Sequence, residues 1–340
     1  MFIKKMIFGA ALCFAAASSS WAASTLLVNS FLPPGHPINT KLLKPWAKDV
    51  YKATEGRVRI HIAPQSLAAP AAQMDAVVNG VADAAYMFNG FLTSTVKLGQ
   101  IAQLPFMVDS SKGSAVALWR TYDKYFREAN EYKNVHLLGF VSFPGAAIYA
   151  MKKPIASVAD LKGIRIYAAP GTAAKIMEAA GAGVIAEAAA RSHEIISNGT
   201  VDAFTGYPVM DTVMFKTDSY VKSVVDLPGG LSGATFIFFV NKDKWAALDE
   251  KDREIITKLS GEAFAERSVV FDELDASART KLAGNGVKFE KASLQFTADL
   301  HALGDPMVQK WLADAKAMGV DGKAAIAYYK TQQDLANGKK

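Results

Sequence analysis

The chain has 340 residues and a formal net charge of +6, and 51% of its residues are hydrophobic. Its 38 basic and 32 acidic residues are interspersed, without the concentrated basic stripe of a nucleic-acid-binding surface. We therefore expect no nucleic-acid partner. The chain has a single cysteine, Cys13, so it cannot form an intramolecular disulfide.

The first 22 residues have the pattern of an export signal. Lys4 and Lys5 precede an apolar run over 6–17, and small residues then lead to a cleavage signal that ends at Ala22. The run is too short to span a bilayer as a helix, which needs roughly 20 apolar residues. We expect cleavage near Ala22 and a periplasmic protein without a membrane anchor.

Strand-like and helix-like patterns alternate along the first half of the mature chain. Apolar alternation and β-branched runs predict strands at 26–32, 57–63, 82–87 and 135–141. Helical periodicity predicts helices at 37–54, 70–79 and 111–131. This order favours a parallel sheet whose strands are joined by helical crossovers.

The strand–helix–strand order starts again near residue 146, which indicates a second lobe. Further strands are predicted at 146–151, 164–168, 201–205, 220–226, 234–241 and 287–289. Helices are predicted at 170–180 and 188–197, as one long helix from Lys251 to about Leu282, and at 297–317 and 322–335. We predict an α/β protein with these parts: signal peptide 1–22, lobe I 23–144 and 233–275, lobe II 145–232 and 276–316, and a C-terminal helical tail 317–340.

Familiar catalytic and metal-binding patterns do not occur in the sequence. The five histidines are widely spaced, and there is no HExxH, no GxSxG and no Gly-rich phosphate loop with Lys-Ser/Thr. We expect no catalytic role, no cofactor and no metal. An exported hydrolase stays as the alternative, because a Ser–His–Asp set can be assembled from distant residues.

Aromatic side chains collect near the predicted carboxyl ends of the strands, where open parallel sheets bind their ligands. Phe91 follows the third strand, in the same loop as two of the candidates. Packing in the core is the alternative interpretation, most directly for Phe236 in its apolar strand. The predicted ligand-binding residues are His36, Tyr86, Phe88, Asn89, Tyr149, Tyr167, Phe204, Tyr207, Asp211 and Phe236.

Several segments together resemble the extracytoplasmic solute-binding subunits of tripartite ATP-independent periplasmic (TRAP) transporters, of the dicarboxylate-binding type. They are FLPPGHP at 31–37, GRVRIHIAP at 56–64, LPFM at 104–107, PIASVADLKGIRI at 154–166, NGTVDA at 198–203, LPGG at 227–230 and FFVNKDKW at 238–245. The resemblance implies a two-lobed periplasmic-binding-protein-like fold with a ligand cleft and a long connecting helix. It also implies capture of a small solute by lobe closure, with hinges expected near 144–147 and 230–234, and delivery to membrane permease subunits. We expect a monomer.

The family often binds a carboxylate through an arginine at the position that Tyr167 occupies here, and a second cationic position falls near Ala147. Arg165 corresponds to a surface residue of the family pattern. Since a phenol cannot replace a guanidinium fork, this departure favours a small amine or amino alcohol, or an aromatic or polar compound. The possible counter-charges for an amine are Glu187, Asp202 and Asp211. The alternatives are an organic acid held by a non-standard clamp and a ligand-sensing subunit of a membrane receptor.

Overall fold

The computed structural model describes residues 23–339, so the predicted signal peptide lies outside the described residues. The strands are β1 (Ser24–Ser30), β2 (Val58–Ile62), β3 (Ala84–Phe88), β4 (Val135–Ser142), β5 (Ile148–Ala150), β6 (Arg165–Ala168), β7 (Gly183–Ala186), β8 (Ala203–Thr205), β9 (Ser223–Asp226), β10 (Thr235–Asn241) and β11 (Lys288–Lys291). The helices are α1 (Lys44–Ala53), α2 (Gln73–Val78), α3 (Ser111–Thr121), α4 (Thr172–Ala179), α5 (Ser192–Ser197), α6 (Val209–Met214), α7 (Lys242–Ala246), α8 (Glu250–Lys258), α9 (Glu262–Glu266), α10 (Val269–Gly284), α11 (Leu294–Ala317) and α12 (Gly322–Ala336).

The strands form two sheets, and the predicted two-lobed α/β fold is confirmed. The first sheet has the order β2-β1-β3-β10-β4, and the second has the order β11-β9-β5-β8-β6-β7. β1 runs parallel to β2 and β3, as the strand–helix–strand pattern predicts, whereas β10 runs antiparallel to both of its neighbours. In the second sheet β5 is the strand that runs antiparallel to its neighbours. Each sheet therefore contains one strand that arrives directly from the other sheet.

Two short segments carry the chain between the sheets, 143–147 after β4 and 227–234 after β9. They touch backbone to backbone where Gly145 meets Gly230. A Cβ atom on Gly230 would lie 2.4 Å from the Gly145 Cα, and Gly230 has a φ of +67°. Only glycine combines this left-handed conformation with so close an approach. The two segments therefore cross at a pair of glycines.

Helix α1 packs on the first sheet through its apolar face. A π-helical turn, Ile38–Leu43, precedes it, and Trp46 is among the side chains buried on its inner face. The indole ring packs edge-on against Phe238 of β10 with centroids 4.9 Å apart, and its Nε1–H donates to the Leu259 carbonyl at 3.1 Å. The apolar stripe expected of the predicted helix at 37–54 is therefore the face that covers the first sheet.

The predicted single helix from Lys251 to about Leu282 is wrong, because the chain forms α8, α9 and α10 there. Gly261 breaks it with a φ of +59°, and its N–H donates to the Leu138 carbonyl of β4 at 2.7 Å. A Cβ atom at this position would lie 2.6 Å from the Trp119 ring. The long helix of the fold is instead α11, with 24 residues.

The C-terminal tail is helical, as predicted, and packs on the first lobe. The Tyr329 hydroxyl of α12 lies 2.7 Å from the Ser114 Oγ of α3, and both residues are buried. Within residues 23–339, no helix combines the length and the apolar character needed to cross a membrane.

Candidate functional site

A cavity of about 230 Å³ lies between the two sheets, at the carboxyl ends of β1, β3, β6, β7 and β8. Both lobes contribute to its wall. From the first lobe come Phe31, Leu32, Pro33, His36, Pro70, Phe88, Phe91, Phe143, Ala234 and Phe236. From the second come Ala169, Pro170, Ala188, Ala189, Ala190, Gly206, Tyr207, Asp211 and Phe215. The wall is thus mainly aromatic and aliphatic, with His36 and Asp211 as its ionisable side chains apart from the Tyr207 phenol.

The rings of the first lobe form one continuous group. Phe88 meets Phe91 edge-on at a centroid distance of 5.2 Å and packs against Phe236 at 5.4 Å. Phe236 in turn stacks on Tyr86 at 4.8 Å with an interplanar angle of 15°. Tyr86 lies behind the wall and supports it, and its buried hydroxyl has no hydrogen-bond partner in the described part of the chain. The rings around the cavity are therefore fixed by their neighbours rather than free to adjust.

Three predicted residues of the second lobe lie behind the wall instead of in it. Tyr149 stacks on Phe204 at 4.6 Å, and its hydroxyl donates to the Tyr207 carbonyl at 2.9 Å. Tyr167 donates to the Glu187 carbonyl at 2.8 Å. All three rings are fully buried. They position Tyr207 and the segment 188–190, which do form the wall.

Asn89 also lies away from the cavity. Its Nδ2 donates to the Gly99 carbonyl at 3.0 Å, and its Oδ1 accepts from the Tyr132 hydroxyl at 3.3 Å. The side chain is fully buried and both ends of its amide are used. Asn89 therefore links its loop to the segments that carry Gly99 and Tyr132 and does not form part of the wall.

His36 brings a neutral hydrogen-bond donor to the wall. Burial lowers its pKa to about 4, so the ring is uncharged at neutral pH. Its Nδ1 accepts a hydrogen bond from the Ile38 N–H at 3.2 Å, which assigns the ring proton to Nε2. The imidazole stacks on Phe143 with centroids 6.3 Å apart. The site can thus offer an N–H to an acceptor atom on a ligand.

Asp211 brings a carboxyl group to the wall, and the residue is 4% exposed. Its Oδ1 has no hydrogen-bond partner among residues 23–339. Burial, and then the charge of Asp275, raise the pKa of Asp211 to about 8. Asp275 is itself satisfied, because it accepts from the Met210 N–H at 2.9 Å and from Arg279 Nε at 2.7 Å.

The other candidate counter-charges point away from the cavity. Asp202 pairs with Lys152 and Arg165 at the surface, and the hydrogen bond from Lys152 is the main reason that its pKa is lowered to about 2. The Glu187 carboxylate lies 3.6 Å from Arg191, and both side chains are substantially exposed. No arginine or lysine forms part of the wall among the described residues.

A larger groove of about 620 Å³ lies beside the two crossing segments. Its lining includes Arg279, whose guanidinium donates to both Asp226 and Asp275. Arg279, Asp226 and Asp275 satisfy one another, whereas in the smaller cavity the Asp211 Oδ1 has no partner among residues 23–339. The ring-lined cavity is therefore the candidate ligand site.

The sequence and the fold are similar to those of known proteins. The family model for the bacterial extracellular solute-binding protein, family 7 (DctP), matches residues 28–314. The chain belongs to this family. It is the solute-binding family of TRAP transporters, so the predicted resemblance is confirmed.

Individual relatives extend over nearly the whole chain. The outer membrane transporter protein TsaT of Comamonas testosteroni is 47% identical over 309 residues, which are 91% of each chain. A TRAP periplasmic solute binding protein of Bordetella bronchiseptica, crystallised with (R)-mandelate and (S)-mandelate, superposes with a TM-score of 0.86 at 33% identity. That match covers 92% of this chain and 99% of the Bordetella chain. A TRAP protein of Rhodoferax ferrireducens, in complex with copurified benzoate, has a TM-score of 0.82 at 20% identity over 93% and 99% of the two chains, which shows the shared fold.

Sequence reasoning missed some of the rings that form the wall. Phe31, Phe143 and Phe215 line the cavity but were not among the predicted residues. Phe31 begins the FLPPGHP segment directly after β1, so its position in a strand-end loop was the available signal. Phe143 sits where the chain leaves the first sheet, and only the tertiary structure turns it toward the cavity.

Proposed function

We propose that this TRAP solute-binding protein captures a small aromatic acid, of the size of benzoate or mandelate, in the periplasm and delivers it to membrane permease subunits. The observation that carries the proposal is the inter-lobe cavity itself, which is walled by rings from both lobes and interrupted by two buried polar side chains. The Bordetella relative with bound mandelate supports the same class of ligand.

An apolar ring is the part of the ligand that the wall recognises. Burying one six-membered ring removes roughly 120 Å² of apolar surface from water, which at about 25 cal/mol per Å² stabilises the complex by about 3 kcal/mol. Stacked or edge-on contacts with Phe88 and Phe236 add to this, at about 0.5–1.5 kcal/mol for each good pair. Aromatic ligands are thereby favoured over aliphatic acids of the same charge.

The acid group is held without an arginine, by the clamp that the sequence leaves open as an alternative. His36 offers its Nε2–H, a neutral donor that costs less to desolvate than a lysine or arginine. An amine ligand would instead need an ionised Asp211 facing it, and the apolar surroundings of that carboxyl oppose ionisation. The neutral donor of His36 and the mandelate bound by the Bordetella relative together support an acid rather than an amine or amino alcohol.

Lobe closure completes the site in this proposal. Lobe I is formed by 23–144 and 233–275 and lobe II by 145–232 and 276–316, with the helical tail 317–340 docked on lobe I. The crossings at 143–147 and 227–234 serve as hinges, and a ligand that touches both walls shifts the population toward the closed state. In this proposal the protein acts as a monomeric receptor and not as an enzyme, and the description of its family as solute-binding supports the binding role.

Calorimetric titration of residues 23–340 with a small panel tests the proposal. Benzoate, (R)-mandelate and (S)-mandelate should bind, whereas succinate and benzylamine should bind at least tenfold more weakly. Phe88→Ala should weaken binding of the aromatic acids about 5- to 30-fold, equivalent to about 1–2 kcal/mol. Tyr51→Ala is the matched control, because Tyr51 is an exposed ring outside the cavity. Tight succinate binding, or an equal effect of both substitutions, would contradict the assignment.

A further inference from the structure

Asp211 stands out among the side chains of the cavity wall because its buried Oδ1 lacks a hydrogen-bond partner in the described part of the chain. It is 4% exposed, it lies in the wall, and its Oδ1 forms no hydrogen bond within residues 23–339. Leaving a buried polar atom unpaired is unfavourable, and folded proteins rarely do so without a functional reason. The missing partner is therefore to be sought in the ligand.

The groups that face Asp211 are acidic or neutral. On α10, Asp275 is the nearby carboxylate, and its cation, Arg279, is already shared between Asp275 and Asp226. Four tyrosines from the two lobes lie near Asp211, and a negative charge on Asp211 would raise the pKa of each phenol. They are Tyr86, Tyr149, Tyr167 and Tyr207. His36, across the same cavity, is held neutral by burial. Nothing in this surrounding favours a negative charge on Asp211.

We propose that Asp211 recognises the ligand in its protonated form, as a neutral carboxylic acid that donates its O–H to the carboxylate of the bound aromatic acid. This inference rests on the proposed function and adds a specificity-determining residue to it. The proton stays on Asp211 or is shared between the two carboxyl groups, and no covalent bond forms or breaks. His36 Nε2–H donates to the second ligand oxygen, so the two residues together replace the arginine that the family often uses.

This arrangement couples binding to a proton. Two carboxyl groups in one dry site cannot both be ionised, so the complex keeps the Asp211 proton even where the free protein has lost it. Above the pKa of about 8 of the free protein, each bound ligand must bring one proton from solvent. Below that pKa the proton is already present, and binding there is independent of pH.

The experiment is a calorimetric titration with benzoate between pH 6 and pH 9.5, on the wild type, Asp211→Asn and Asp202→Asn. For the wild type, the Kd should be constant up to about pH 7.5 and rise toward tenfold per pH unit above pH 8. Asp211→Asn keeps a neutral donor, so it should bind benzoate within about tenfold of the wild type with no dependence on pH. Asp202→Asn is the matched control, since Asp202 lies at the surface and stays ionised throughout, and it should reproduce the wild-type curve.

The outcomes separate this inference from the proposed function. A flat wild-type curve, or the same slope in Asp211→Asn, would overturn the role of the Asp211 proton while leaving aromatic-acid binding intact. Benzylamine that binds the wild type and is lost in Asp211→Asn would show an ionised Asp211 and overturn both. No binding of benzoate or mandelate at any pH would also overturn both.

Discussion

Replacing Asp211 by Asn should stabilise the unliganded protein, and the gain should depend on pH. Asn has nearly the shape of a protonated Asp and carries no charge at any pH. The substitution therefore keeps the neutral form that the cavity wall favours and removes the form that burial disfavours. No ligand is needed, so the measurement tests the state of the side chain by itself.

The magnitude follows from the two pKa values of the carboxyl group. The pKa is about 8 in the folded protein and about 3.9 in an unfolded chain. Between these values the folded state holds a proton that the unfolded state has released, so the stability of the wild type falls as the pH rises from 4 to 8. At about 1.4 kcal/mol per pH unit, the cost at pH 7 reaches up to about 4 kcal/mol. Asp211→Asn lacks this cost.

Urea unfolding followed by tryptophan fluorescence measures the difference. Relative to the wild type, Asp211→Asn should gain less than about 2 kcal/mol at pH 5 and up to about 4 kcal/mol at pH 7. Asp202→Asn, which loses a surface ion pair, should change stability by less than about 1 kcal/mol at both pH values. A difference between Asp211→Asn and the wild type that does not change with pH would refute a raised pKa at this site.

Three further substitutions test the surroundings of the cavity. Gly230→Ala should lower the unfolding free energy by more than about 2 kcal/mol, because the new Cβ would collide with Gly145. Gly163→Ala is the control: Gly163 has a similar φ but open space around it, so the unfolding free energy should fall by about 1 kcal/mol. Equal shifts in melting temperature for the two variants would contradict the backbone contact. Arg279→Gln should lower the unfolding free energy by about 2 kcal/mol, because the Asp275 carboxylate loses its cation. An unchanged stability in urea would argue against a stabilising Arg279–Asp275 ion pair. Tyr167→Phe should lower the unfolding free energy by about 1 kcal/mol, because it removes the hydrogen bond to the Glu187 carbonyl. In calorimetry it should weaken benzoate binding less than Phe88→Ala does. A larger loss of affinity than in Phe88→Ala would show that Tyr167 touches the ligand.

Local patterns in the sequence predict the two-lobed α/β fold. The alternation of apolar and polar residues predicts a strand around Val58, Ile60 and Ile62, and the structure has β2 there. The strand–helix–strand order that begins again near residue 146 predicts a second sheet, and the structure has β5 there. The break at Gly261 was missed because it depends on a β4 carbonyl and on Trp119, both more than 100 residues away in sequence.

The site was harder to predict than the fold, for a related reason. Placing Tyr167 at the end of a strand identifies the edge of the sheet at which the candidate cavity lies, but not whether the ring faces the cavity or the layer behind it. That choice is made by the Glu187 carbonyl, which holds the Tyr167 hydroxyl within the second lobe. For Asp211, the sequence shows a carboxylate, and only its burial and its missing partner show that the neutral acid is the favoured form.

A crystal structure of residues 23–340 with benzoate would test the central claim most directly. We expect the ligand ring to pack against Phe88 and Phe236, with one carboxylate oxygen within roughly 3 Å of the Asp211 carboxyl and the other near His36 Nε2. A carboxylate bound by an arginine, or benzoate in the groove beside Arg279 with the ring-lined cavity empty, would contradict it.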